Sequence, residues 1–156
     1  MKCVAHRHLV DVNDALVHSF NFLRGRWGVT LLTFRDGIMD RIRAREPRFQ
    51  EHAYLFVLAA LEFSQARLPE RRHITGRELA AACRDLALER YGVMSRMVLE
   101  HWGVRSTNDI GDVVFTLVEL GLLISQPNDR REEFHDVFDF DRAFEHEYPW
   151  SVVEIA

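Results

Sequence analysis

The chain is short of the features that usually announce a function. Two cysteines in 156 residues, Cys3 and Cys83, do not make a disulfide framework. Lysine is almost missing: Lys2 is the single example, and every other basic side chain is arginine or histidine. No apolar run reaches the ~18–20 residues that a bilayer-spanning helix requires, and the longest covers only Ala53–Leu61. Residues 1–20 break up their apolar positions with Asp11 and Asp14, so they make a poor secretory signal. There is no Gly-x-Ser-x-Gly, no phosphate-binding loop and no His-Glu-x-x-His. These absences lead to the expectation of a cytoplasmic protein without membrane association, cofactor or motif-declared catalytic residue.

What is present is enough for a folded core. Hydrophobic residues make up 47% of the chain and charged residues 28%, ordinary values for one globular domain. The net charge of −4 conceals a polarity. Residues 1–38 hold five basic and three acidic side chains, residues 39–105 hold twelve and nine, and residues 106–156 hold three and twelve. An acidic last third disfavours phosphates and favours a cationic partner.

Residues 1–38 mix periodicities and lack clean helix caps, so they are expected to be an extension, with the core domain running over 39–144 and an acidic-aromatic tail over 145–156. Phe49–Leu68 is apolar almost all round and predicts a central helix. Arg71–Ile74 has the makings of a short strand. Thr75 followed by Glu78 is a capping box opening a helix that places Leu79, Ala80, Cys83, Leu86 and Ala87 on one face and stops at Gly92. A shorter helix, Val93–Trp102, is expected to bury Met94, Met97 and Val98. Ser106–Asp109 then starts a helix with Ile110, Val113, Val114, Leu117 and Val118 on one stripe. Beyond Gly121, Leu122–Ser125 reads as extended, Gln126–Asp129 as a turn, and Glu133–Phe140 as a returning strand with Phe134, Phe138 and Phe140 at even spacing. Asp139 or Asp141 can cap a last short helix through Phe144.

This order predicts an α+β, mainly helical fold: a winged-helix-like core with a C-terminal β-hairpin, or alternatively a helical bundle with a β-ribbon. Over about residues 39–144 the segments AYLFVLAALEF (53–63), RRHITGRELA (71–80), LALERYGVMSRMVLEHWGVRST (86–107), DIGDVVFTLVELGLL (109–123) and REEFHDVFDF (131–140) resemble an uncharacterised family of short cytoplasmic bacterial proteins known mainly from Planctomycetes and Verrucomicrobia. That resemblance implies no activity, substrate or cofactor. Residues 117–132, LVELGLLISQPNDRRE, also resemble the recognition-helix-to-wing junction of MarR-type regulators.

Three functional readings follow. The first is a non-enzymatic docking module. Phe138, Phe140, Tyr148 and Trp150 interleave with Asp139 and Asp141, aromatics supplying contact area and carboxylates steering toward a protein with a basic surface, or toward a second copy. The alternative is nucleic-acid binding, with Arg105, Thr107 and Asn108 at a helix N-terminus and Arg130 and Arg131 in a wing. Against it, that helix carries Asp109, Asp112 and Glu119 and no cation, so it would repel phosphates. The third is an enzyme centred on His101, beside Glu100. Adjacent helical residues point in different directions, so Glu100 does not orient His101, and a core or capping role for the histidine is simpler. No metal site is expected: Cys3, His6 and His8 are three groups where structural zinc takes about four. Cys83 sits on an apolar face and should be inert.

Overall fold

A computed structural model describes residues 37–148 of the protein. Among them are five α-helices: α1 (Ile38–Arg45), α2 (Glu51–Ala66), α3 (Gly76–Tyr91), α4 (Ser95–His101) and α5 (Thr107–Glu119). Two 3-10 turns, Gly92–Met94 and Arg131–Phe134, and a π turn, Arg142–His146, link or follow them. Residues 1–36 and 149–156 lie outside the described chain, and with them most of the expected extension, the Cys3/His6/His8 group and Trp150.

α2 is the central element because it has few polar positions to turn toward water. Ala53, Tyr54, Phe56, Val57, Leu58 and Ala60 are all buried, and the helix packs against both α3 and α5. α3 presents Leu79, Ala80, Cys83, Leu86 and Ala87 to it, and α5 presents Ile110, Val113 and Leu117. Both helix starts use reciprocal capping. The Thr75 hydroxyl accepts the Glu78 N–H at 3.3 Å and Glu78 accepts the Thr75 N–H at 2.9 Å. Ser106 and Asp109 do the same for α5, at 3.3 and 3.0 Å. Glu78 also receives the Arg72 guanidinium at 2.6 Å. Arg72 first, then the Thr75 N–H, hold this carboxyl down at about 2.

The C-terminal third corrects the expected fold. Among the described residues there is no β-strand, so the α+β winged-helix-like core, its β-hairpin and the β-ribbon of the alternative bundle are all overturned, and Arg71–Ile74 is an irregular link. Instead of leading out along a strand, the amides of Leu122 and Leu123 fold back onto the Leu117 carbonyl at 2.8 and 3.2 Å and close the end of α5. Asp129 accepts the Gln126 N–H at 2.7 Å and fixes the following turn.

The chain then enters the 3-10 turn that carries Phe134 into the body of the protein, 3% exposed. Phe134 seats in a notch made by two glycines. A Cβ added to Gly76 would lie 2.8 Å from the Phe134 ring, and one added to Gly111 would lie 2.9 Å from the Phe134 Cβ. A strand pairs with another strand through its backbone; this segment is held by a ring inserted between two helices. Phe138 and Phe140 do share a side, stacked at 5.5 Å, but the stack closes on Phe144, whose ring is edge-on to both. Their even spacing thus serves an aromatic cluster.

Candidate functional site

α4 is the element on which the sequence and the structure differ most usefully. The 3-10 turn Gly92–Met94 runs straight into it. Ser95 and Leu99 face inward, at 0% and 1% exposure. A buried serine is tolerable here because its hydroxyl donates to the Gly92 carbonyl at 2.6 Å. That rotation turns Val93, Met94 and Met97 outward, at 54%, 46% and 61% exposure. The expected burial of Met94 and Met97 is therefore reversed, and Val98 is only half-buried. His101, four residues after Met97, is exposed as well, so it is not a core residue.

The ridge rests on a firm base. Trp102 meets the Phe56, Tyr91 and His52 rings at 5.7 Å each. Gln50, just before α2, holds the C-terminal end of α4 twice: its N–H donates to the Trp102 carbonyl at 3.0 Å and its side-chain amide to the His101 carbonyl at 2.8 Å. Gly103, at φ +96°, lets this junction close; a Cβ there would stand 2.5 Å from the Arg48 carbonyl oxygen.

Beside the ridge, Arg96 faces three carboxylates. Its Nε donates to Glu100 at 2.7 Å and its Nη1 to Glu145 at 2.6 Å, with Asp141 also paired to Nη1. Hydrogen bonds to Glu100 and then Glu145 hold the guanidinium proton more firmly than usual. One cation among three anions leaves a net negative corner. The predicted docking residues divide around it. Asp141 is in the corner, whereas Asp139 accepts the Arg142 N–H at 2.8 Å and caps the final turn. Phe140 is buried in the aromatic cluster and Phe138 half-buried over it. Tyr148 reaches the start of the ridge, where a Cβ on Gly92 would stand 3.1 Å from its hydroxyl.

The predicted nucleic-acid set is dispersed. Arg131 pairs with Asp112 at 2.7 Å and Glu119 at 3.3 Å and lies 5.0 Å over the Phe115 ring. Thr107 is 2% exposed and its hydroxyl accepts the Val137 N–H at 3.3 Å. Arg105, Asn108 and Arg130 remain at the surface. The acidic face of α5 is matched within the chain: Arg48 bonds Asp112 at 2.8 Å and Glu46 at 2.8 Å, and Arg45 bonds Glu119 at 2.6 Å. Arg48 lowers the Glu46 carboxyl, and Arg45 lowers that of Glu119.

A cleft of about 200 Å³ opens between α2, α3, α5 and the loop after α5. At its mouth His73 Nε2 meets Asp129 Oδ1 at 2.7 Å. Sequence reading had no signal for it, since these two residues lie 56 positions apart. Among the described residues no group of His, Cys, Asp or Glu is arranged to hold a metal ion, and no helix is long and apolar enough to cross a membrane. Burial pushes the Cys83 thiol far up, away from the reactive thiolate. Comparison with protein-family models, curated proteins and solved structures returned no match.

Proposed function

We propose that the protein is a non-enzymatic docking module that binds a basic, amphipathic segment of a protein partner along the α4 ridge. The observation that carries this reading is the exposed run of Val93, Met94 and Met97 bordered by Glu100, Asp141 and Glu145, with Arg96 as their shared cation. Unbranched methionines adapt to varied apolar surfaces. Surplus carboxylates beside them attract cations and repel acidic competitors. A partner helix with one apolar and one basic face supplies both complements. Glu145 and Tyr148, from the described part of the acidic-aromatic tail, adjoin the same surface. The low cysteine content and inert Cys83 suit a reducing, cytoplasmic setting.

The test uses the full chain, a synthetic basic amphipathic peptide and its acidic charge-reversed counterpart, followed by NMR titration. The basic peptide is expected to bind, more weakly as salt rises, and to lose binding in the double variant Met94→Ser/Met97→Ser. Equal binding of the two peptides, or no effect of the double variant, overturns the proposal. Sedimentation of the unliganded chain provides the other arm: concentration-dependent dimers abolished by the same variant assign the ridge to a second copy and displace the partner reading.

A further inference from the structure

We infer that the cleft between α2, α3 and α5 binds a small apolar carboxylic acid, its hydrocarbon part against the helices and its carboxylate on Arg130. The site is separate from the α4 ridge and does not depend on how the ridge is used.

The floor is hydrocarbon contributed by three helices: Leu61 from α2, Leu79 from α3, Val114 and Val118 from α5, joined by Leu123. Apart from Leu79, these side chains are only half-buried, although they face a concavity. At the rim Ile124 is 68% exposed, the highest value among the exposed large apolar residues of the described chain. Concave apolar surface left wet is what a small ligand covers with gain.

The mouth decides the ligand's polar end. Each of its carboxylates and its amide already holds a donor. Asp129 gives one oxygen to His73 Nε2 at 2.7 Å and the other to the Gln126 N–H at 2.7 Å. Glu133 gives an oxygen to the Gly76 N–H at 2.7 Å, at the start of α3, where the helix dipole offsets its charge. The Gln65 amide is bound on both sides by the Arg72 backbone, at 2.5 and 3.3 Å. Among the described residues that line the cleft, two with donor side chains have no such engagement: Arg130 and Ser125, both exposed. The contrast with Arg131 is direct, since that neighbour is held by Asp112 and Glu119. Spare donors over an apolar floor complement an anionic head on an apolar chain, and a planar carboxylate matches the two-pronged donor face of arginine.

The experiment titrates the full chain with octanoate, with octanol and with acetate, followed by NMR shifts of the Leu61, Val114, Val118 and Leu123 methyl groups. Octanoate is expected to move these methyls, octanol to bind about tenfold more weakly, and acetate to leave them unmoved. Arg130→Ala, a surface change that leaves packing intact, is expected to weaken octanoate about tenfold and leave octanol unchanged. Val118→Trp fills the cleft and abolishes both; its methyl spectrum reports whether it has folded. Met94→Ser/Met97→Ser leaves octanoate binding as it was. Octanoate that moves none of these methyls, octanol that binds as tightly as octanoate, or Arg130→Ala without effect overturns the inference.

Discussion

α5 and α4 follow one another around the same core, and they treat their side chains in opposite ways. On α5 nearly every group finds a partner within the chain. Its carboxylates meet Arg45, Arg48 and Arg131, its glycine meets Phe134, and its apolar stripe meets α2. On α4 and the 3-10 turn that leads into it the ledger is left open: three apolar residues face water, and one arginine serves three carboxylates. The sign and number of charges in a stretch therefore say little about its surface until their partners are known. α5 has an acidic sequence and a compensated face; α4, from the mildly basic part of the chain, borders the uncompensated corner.

The sharpest way to break the closed side is Phe134→Ala. Emptying the two-glycine notch is expected to cost about 3–5 kcal/mol, read by chemical denaturation. Gly111→Ala attacks the same notch from the helix, where the new methyl meets the Phe134 Cβ at 2.9 Å. About 1–3 kcal/mol of destabilisation is expected, despite alanine's better helix propensity. Glu78 gives a pH test at the start of α3. Its folded pKa, about 2, lies below the ordinary carboxylate value, so its contribution is present at neutral pH and is lost as pH falls from the ordinary range toward 2. Glu78→Gln should lower stability at pH 7 and flatten the acid limb of the stability curve.

Arg131→Ala removes two exposed ion pairs and a ring contact, and a loss of about 0.5–1 kcal/mol that shrinks in high salt is expected. On the open side the effect should all but vanish. Met97→Ser is expected to change stability by no more than about 0.5 kcal/mol in either direction while affecting peptide binding. A large loss of stability there would mean that the ridge belongs to the core, and the contrast between the two helices would collapse.

Local chemistry was readable in advance. Thr75 with Glu78, and Ser106 with Asp109, open helices through hydrogen bonds three residues long, and the apolar periodicities of α2, α3 and α5 announce their buried faces. What escaped is long-range. The even spacing of Phe134, Phe138 and Phe140 describes a strand face only where a second strand exists, and the fact that decides against it is a notch built by Gly76 and Gly111. Met94 and Met97 occupy helical spacing that suits a core equally well, and the choice of Ser95 and Leu99 as the inward pair depends on how α4 meets α2 and α3. The arginine pairings of α5 span up to 74 residues, so no local window contains them. The same holds for the site: Tyr148 and Asp141 fall beside the ridge, and the ridge itself read as core.

Gln50 gives the ridge its last property. A seven-residue helix is too short to persist unaided in water, yet the carbonyls that end α4, those of His101 and Trp102, are tied by the side chain and the backbone of one glutamine that directly precedes α2. Its backbone freedom is surrendered when the protein folds, before any encounter. A molecule landing on Met94 and Met97 need order only two flexible side chains, so little of the contact energy is consumed by loss of disorder. Loosening that tie with Gln50→Ala should leave the apolar surface in place and still weaken whatever adheres to it.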